Sequence, residues 1–303
     1  PFLIRQSAIL RRLRLMDMNR EGLRVGIIGC GKIADLHAEA LRWQQDCRLV
    51  AAYDAEQLMA MQFCERYDVE NCCTDLEEFF GFLEGGVVHV TTPPQAHYEL
   101  GMKALSAQCH VYMEKPFALN TREAENLICE AENKELKITV GHTTQFNPIA
   151  VRARQMIERG YLGGHPLHLE SYYGYPLDDT SYAKALLGDK NHWVRKLPGN
   201  LLQNIISHGI SKIAEYMKNE DPTVIAHGYT SSKLEEIEEK DIVDELRVIV
   251  DDCKKTTAIF TFSSQIRPSM HKFNIYGPKN SLSLDYDSQT IIKIGGERHK
   301  SYL

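Results

Sequence analysis

The sequence predicts an α/β protein: an N-terminal doubly wound parallel sheet, then an α+β domain on a large, mostly antiparallel open sheet. Three observations carry this. Residues 24–142 alternate short apolar runs with stretches of helical apolar spacing. Gly29, Gly31 and Ala34 form a small-residue turn between the first apolar run and the first helical stretch. From residue 223 onward, strand patterns follow one another.

In the first part, strands are expected at 24–29, 48–54, 86–91, 109–113 and 137–141. Helices are expected between and after them at 33–44, 55–67, 75–83, 96–107 and 121–134. Strand–helix alternation with right-handed crossovers gives a parallel sheet covered on both faces. In the second part, a helix over 148–160 is stopped by glycine, and a strand pattern covers 166–175. A polar, aromatic stretch spans 176–198, and one long helix is expected over 200–218. Strands follow at 223–230, 242–251, 256–264, 271–276, 281–286 and 290–294, with a charged, solvated loop at 235–241. The expected division is a tail over 1–22, a nucleotide-binding domain over 23–142, and a substrate-binding and oligomerisation domain over 143–303.

A chain of 303 residues is long enough for two cores. Its net charge of -6 and pI of about 6.1 give no electrostatic case for nucleic acid or an anionic membrane. No apolar run approaches the ~20 residues that span a bilayer. Eight cysteines are scattered without a C-x-x-C pair or a secretory apolar segment before them. Free thiols in a reducing cytoplasm are expected, with no disulfide framework or zinc site. The first twenty residues hold five arginines against one acid, Asp17, a bias that a transit peptide shares. Met16 or Met18 would be a natural start, and the segment is read as a tail.

The glycine turn fits G-x-G-x-x-[G/A], the mark of a Rossmann βα unit. The first glycine allows the tight turn, the second lets backbone approach a pyrophosphate, and Ala34 lets helix pack on strand. Phosphates would sit at the helix N-terminus, beside Lys32 and Ile33. Lys32 also reads as a solvated helix-start residue, and His37 as structural. Asp54 ends the second strand pattern, 25 residues beyond Gly29. It is suited to accept hydrogen bonds from the adenine ribose and to repel a 2′-phosphate, which favours NAD over NADP. Its other reading is as cap of the helix beginning at Ala55. Thr92, Pro93, Pro94 and His97 follow the third strand pattern, at the sheet's carboxyl edge where ligands bind. Glu114, Lys115 and Pro116 follow the next one.

These residues resemble the glucose–fructose oxidoreductase, inositol dehydrogenase and rhizopine-catabolism (Gfo/Idh/MocA) family. The resemblance rests on residues 26–34, on Thr92, Pro93, Pro94 and His97, on Glu114, Lys115 and Pro116, and on residues 200–208. It implies a Rossmann domain plus an α/β domain whose open sheet mediates homodimers or homotetramers. It also implies hydride transfer between a nicotinamide and a hydroxyl or keto carbon of a sugar, cyclitol or related polyol. Three features depart from the family pattern. Asn204 stands where many members carry Asp, and Ser211 stands where a further Asp often follows. The chain also ends soon after its last strand pattern, where many relatives continue into another strand and helix; a fragment and an early stop are both open readings.

Alcohol oxidation leaves a proton on oxygen, and a base with a pKa near the working pH removes it best. His208 has that chemistry. Asn204, four residues earlier, shares its helix face and can orient substrate or hold the His208 tautomer. Lys115 is suited to stabilise the negative charge developing on the reacting oxygen. The opposite assignment, with a desolvated Lys115 as base, stays open. Trp193 can stack on a sugar ring and Arg195 can pair with an anionic group, or both can anchor a packed loop. His142 and Gln145, at the domain crossing, are further substrate-contact candidates. Tyr172, Tyr173 and Tyr175 read as sheet-packing residues. No clustered His, Asp or Glu spacing supports a metal. Two other functions remain open: an NAD-dependent glycoside hydrolase of the same fold, and a non-catalytic NAD-binding regulator.

Overall fold

The computed structural model describes residues 22–177, 181–219 and 221–296. The expected tail lies outside them, apart from Gly22. The chain divides into two compact units, residues 1–141 and 142–303, so the break falls one residue ahead of the expected boundary.

The first unit is a six-stranded sheet in the order β3-β2-β1-β4-β5-β6, with every pairing parallel. Its strands are β1 Leu23–Ile28, β2 Cys47–Tyr53, β3 Asn71–Cys73, β4 Val87–Val90, β5 His110–Met113 and β6 Ile138–Val140. The helices α1 Lys32–Arg42, α2 Gln57–Tyr67, α3 Leu76–Gly81, α4 His97–Ser106 and α5 Thr121–Asn133 complete it. In β1 and β2 consecutive residues are buried, 25–28 and 50–52, so both faces of these strands are covered and their sequences read as apolar runs. Two cores result. Ile27, Ala34, Ala38, Ala52 and Phe63 fill one, and Ile28, Phe79, Val88, Val90, Met113 and Leu127 the other. Strand β3 went unforeseen because it has only three residues and an exposed Cys72 at its centre.

The second unit holds a seven-stranded sheet, order β13-β12-β11-β7-β10-β9-β8, antiparallel except where β10 runs parallel to β7. Its strands are β7 His168–Gly174, β8 Thr223–Tyr229, β9 Glu245–Asp251, β10 Thr257–Ser263, β11 His271–Tyr276, β12 Asn280–Asp285 and β13 Thr290–Gly295. The helices are α6 Pro148–Glu158, α7 Ser181–Gly188, α8 Asn200–Ile205, α9 Ser207–Ala214 and α10 Ser232–Glu236. One sheet face packs on helices through Leu169, Val248, Phe260, Phe262, Phe273 and Leu284. The outer face leaves apolar side chains bare: Ile225 is 65% exposed, Ile249 51% and Ile292 59%. Among the described residues, no helix is long and apolar enough to cross a membrane.

Three expectations need correction here. The long helix over 200–218 is two shorter ones, α8 and α9, joined at Ile206. Ile206 keeps right-handed helical angles, φ -56 and ψ -32, so the chain direction changes little. The stretch 176–198 includes helix α7 and a 3₁₀ turn, Trp193–Lys196. The charged stretch 235–241 is not simply a solvated loop. Glu239 is buried and takes ion pairs from Lys190 at 2.6 Å and Arg195 at 3.0 Å. Burial raises its pKa, but those two cations outweigh that and hold the carboxyl below its ordinary range.

Helix α9 lies close on the sheet because Gly209 has no side chain. A Cβ at Gly209 would sit 2.0 Å from Cε2 of Phe260, and Ser171 Oγ donates to the Gly209 carbonyl at 3.3 Å. Phe260 is fully buried, so it has little room to yield. We expect Gly209→Ala to destabilise the protein by about 1–3 kcal/mol, read as a lower urea midpoint at unchanged slope. An unchanged midpoint would refute this packing account.

Candidate functional site

The carboxyl ends of β1, β2, β4 and β5 lie along one edge of the parallel sheet, and most of the nucleotide-binding candidates are there. Gly29 follows β1 with φ +94, a conformation that favours glycine. A Cβ on it would come within 2.7 Å of Thr92 Cγ2 and 2.9 Å of Thr92 N. The absent side chain thus lets the turn rest against the β4 loop. Thr91 Oγ1 closes this contact by donating to the Gly29 carbonyl at 2.6 Å. Gly31 is the N-cap of α1, and nothing lies within 4 Å of where its Cβ would be. No side chain caps that helix start, and Lys32 and Ile33 are exposed beside it. Ala34 is fully buried beneath. Open space before uncapped backbone N–H groups is what an approaching pyrophosphate needs.

Asp54 follows β2. Its Oδ2 accepts from Cys30 N at 2.8 Å and its Oδ1 from Glu56 N at 2.9 Å. Helix α2 begins at Gln57, so Asp54 does not cap it as the other reading held. The aspartate instead ties the glycine turn to the end of β2. Each carboxylate oxygen keeps further acceptor capacity for a ribose hydroxyl. Thr92 Oγ1 is buried with no hydrogen-bond partner among the described residues, an orphan group beside the turn. Together, the open Gly31 face, the remaining capacity of Asp54 and this orphan hydroxyl fit a dinucleotide.

Pro93 is exposed, and Pro94 opens a short 3₁₀ turn before α4. His97 is fully buried. Its ring nitrogens lie 2.9 Å from the carbonyl oxygens of Pro116 and Thr92, so both face backbone rather than an open space. It braces the β4 loop against the β5 loop. Burial lowers its pKa, and those carbonyls only partly offset the effect.

Glu114 and Lys115 follow β5. Glu114 Oε2 accepts from the Lys115 backbone N–H at 3.1 Å, and its Oε1 lies 3.0 Å from His37 Nε2. Burial would raise the Glu114 carboxyl, but the His37 contact reverses the direction and leaves it lowered. Burial lowers the Lys115 pKa, with Glu114 opposing. Sequence reasoning missed His89, whose Nδ1 lies 2.8 Å from His37 Nδ1. No motif marks a histidine in the middle of a buried strand.

In the second unit, Asn204 is buried on α8 and His208 half-buried on α9. The His208 ring lies 5.2 Å from that of Tyr173 on the inner sheet face. Tyr173 also packs on Phe262 and His271, in line with the sheet-packing role expected of it. Gln145 Nε2 donates to the Ser211 carbonyl at 3.2 Å, holding the segment after the unit boundary to the His208 helix. His142 begins this segment, half-buried. Arg195 is buried and holds Glu239 together with the Leu186 carbonyl, at 2.9 Å from Nε. These contacts have the geometry of a loop anchor, and the guanidinium already has an anionic partner. Trp193 stacks on His192 at 5.7 Å and packs against the second core. Lys115 thus belongs to the first unit, and Asn204 and His208 to the second. Among the described residues, no group of three or more His, Cys, Asp or Glu could hold a metal ion.

Residues 23–142 match the model of an oxidoreductase family with an NAD-binding Rossmann fold, GFO_IDH_MocA. Over 147 residues the chain is 31% identical to D-glucoside 3-dehydrogenase of Escherichia coli, covering 48% of this chain and 42% of that protein. Over 150 residues it is 28% identical to myo-inositol 2-dehydrogenase of Thermotoga maritima, covering 49% and 45%. The matched stretch therefore spans less than half the length of either relative. Among solved structures, a levoglucosan dehydrogenase in complex with NADH and levoglucosan superposes with a TM-score of 0.78. That match covers 92% of this chain and 78% of the other at 18% identity, a likeness of fold. Residues 23–142 are thus similar to the NAD-binding Rossmann domain of the Gfo/Idh/MocA oxidoreductases, and the likeness of the remaining residues is one of fold.

Proposed function

We propose that this protein is an NAD-dependent oxidoreductase acting on a hydroxyl or keto carbon of a sugar, cyclitol or related polyol. One observation carries the reading: a half-buried lysine, Lys115, on the same sheet edge as a complete dinucleotide turn. The named relatives, which act on a glucoside and an inositol, support the substrate class.

Gly29, Gly31, Lys32, Ile33 and Ala34 hold the pyrophosphate at the start of α1. Asp54 receives the adenine ribose and disfavours NADP, and Thr92 with Pro93 and Pro94 walls the other side. When bound, the nicotinamide supplies the hydride acceptor or donor. Lys115 binds the reacting oxygen and stabilises charge as the hydroxyl proton leaves. His208 receives that proton, and Asn204, which cannot exchange one, orients the group. His142, Gln145 and Trp193 border the substrate.

The bare outer sheet face supports a further part of the reading. Ile225, Ile249 and Ile259 lie in register across β8, β9 and β10. Such a row suits a second copy of the chain, giving a homodimer or homotetramer. The eight free cysteines suit a reducing, cytoplasmic setting.

Lys115→Ala is expected to lower kcat at least ~100-fold while the NAD dissociation constant, read by fluorescence, changes little. His208→Ala should lower kcat by about 10²-fold. Turnover is followed at the reduced-nicotinamide absorbance band across polyols, cyclitols and aldoses. Wild-type kinetics in both variants would sink the assignment. Glycoside cleavage without net change in NAD would replace it with a hydrolase. For assembly, light scattering should give a multiple of the chain mass for the wild type and a smaller mass for Ile249→Arg. Equal masses would remove the sheet as interface.

A further inference from the structure

Helix α9 carries a lysine into the interior of the second unit. Lys212 is 2% exposed, and its Nζ has no hydrogen-bond partner among the described residues. The amine lies instead over the Tyr286 ring, 4.7 Å from the centroid. An ammonium offers three hydrogens, and burying it without acceptors or a counter-charge is costly.

Lys212 and Tyr286 both line a cavity of about 10 Å³ between α6, α9, β11 and β12. Ala150 and Ala153 face it from α6, and their short side chains leave the space. The other polar groups in the wall are engaged with one another. Arg154 Nε pairs with Glu215 Oε1 at 2.7 Å, and Arg154 Nη2 donates to the Gln145 carbonyl. Gln145 Nε2 donates to the Ser211 carbonyl at 3.2 Å. The wall therefore holds two cations, Lys212 and Arg154, against one carboxylate that Arg154 already occupies. His271 stacks on Tyr286 at 4.7 Å, and burial, then Lys212, push its pKa down to about 3, so it adds no charge.

We propose that this cavity is a binding site for one small monovalent anion of halide size, held by the Lys212 ammonium. The inference is independent of the dehydrogenase reading.

Size and charge select the ligand. The volume suits a single particle near the size of a water molecule, which excludes phosphate, sulfate and organic acids. A water would accept one hydrogen from Nζ but would leave the charge uncompensated, whereas an anion supplies both acceptor and counter-charge. Burial pulls the amine down to about 7, and Asp287 opposes this only from an exposed position where it accepts from the His271 N–H at 2.9 Å. The neutral and charged amine are thus close in free energy near neutral pH, and an arriving anion selects the charged one. The bound ion would join α6 to α9, the helix that also carries His208 four residues before Lys212.

The test uses bromide as probe, at about pH 6 where the amine is protonated. Crystals of the full-length protein are soaked in sodium bromide, and anomalous diffraction is recorded at the bromine edge. A peak is expected within hydrogen-bonding reach of Lys212 Nζ. In solution, urea unfolding is compared in sodium bromide and sodium gluconate at equal ionic strength, gluconate being too large to enter. Beyond half-saturation, the wild-type unfolding constant should fall about tenfold for each tenfold rise in bromide. Lys212→Met keeps the apolar stem without the ammonium and should lose this difference between the salts. No peak at Nζ, or a water alone beside it, overturns the proposal. A peak without a bromide gain in the wild type is binding at crystal concentration only and overturns it too, as does an equal gain in folded Lys212→Met. Should that variant fail to fold, the peak and the wild-type salt comparison decide.

Discussion

The contact between His37 and Glu114, 3.0 Å long, joins the two motifs on which the first unit is organised. His37 stands on the helix whose start forms the nucleotide turn, and Glu114 immediately precedes Lys115. A buried carboxylate is costly unless something donates to it. Glu114 meets that requirement with one imidazole and one backbone N–H. The geometry that satisfies it fixes α1 against the end of β5. Gly29 contributes from the other side, because its bare α-carbon lets the turn close on Thr92. The carboxyl edge of this sheet is therefore held by contacts that leave little slack between turn, aspartate and lysine loop.

The second unit solves a different problem, that of laying a polar helix face against a sheet of aromatic and branched side chains. Helix α9 does so at Gly209, over Phe260. That approach sets His208 beside Tyr173. Asn204, one turn earlier, is buried, so its amide must be satisfied locally. An Asp at this place would bring a charge into the same buried surroundings. An amide avoids that cost and gives up proton exchange in return.

The alternation of strands and helices in the first unit was legible because period and length differ sharply between buried strands and amphipathic helices. The turn was legible because its backbone demands are narrow: Gly29 takes φ +94 against Thr92, and the small Ala34 is buried beneath the helix start. The three residues of β3 fell below any periodic signal. The split at Ile206 was hidden because the apolar spacing continues through it. Glu239 looked solvated among charged neighbours, and only folding brings it to Arg195 and Lys190. His89 lies 52 residues from His37, and nothing local announces that they meet. Pairings of this kind depend on which strand becomes whose neighbour, which the parallel topology decides.

His97 carries a consequence of its own. Its two ring nitrogens face two carbonyl oxygens at equal distance, 2.9 Å, one from each loop. Burial disfavours the imidazolium, and the neutral ring has a single hydrogen to offer. Only one loop can be gripped at a time, while the other meets a lone pair. A shift of tautomer would hand the firm hold from the threonine side to the proline side, making this small ring a latch between two loops at the carboxyl ends of β4 and β5.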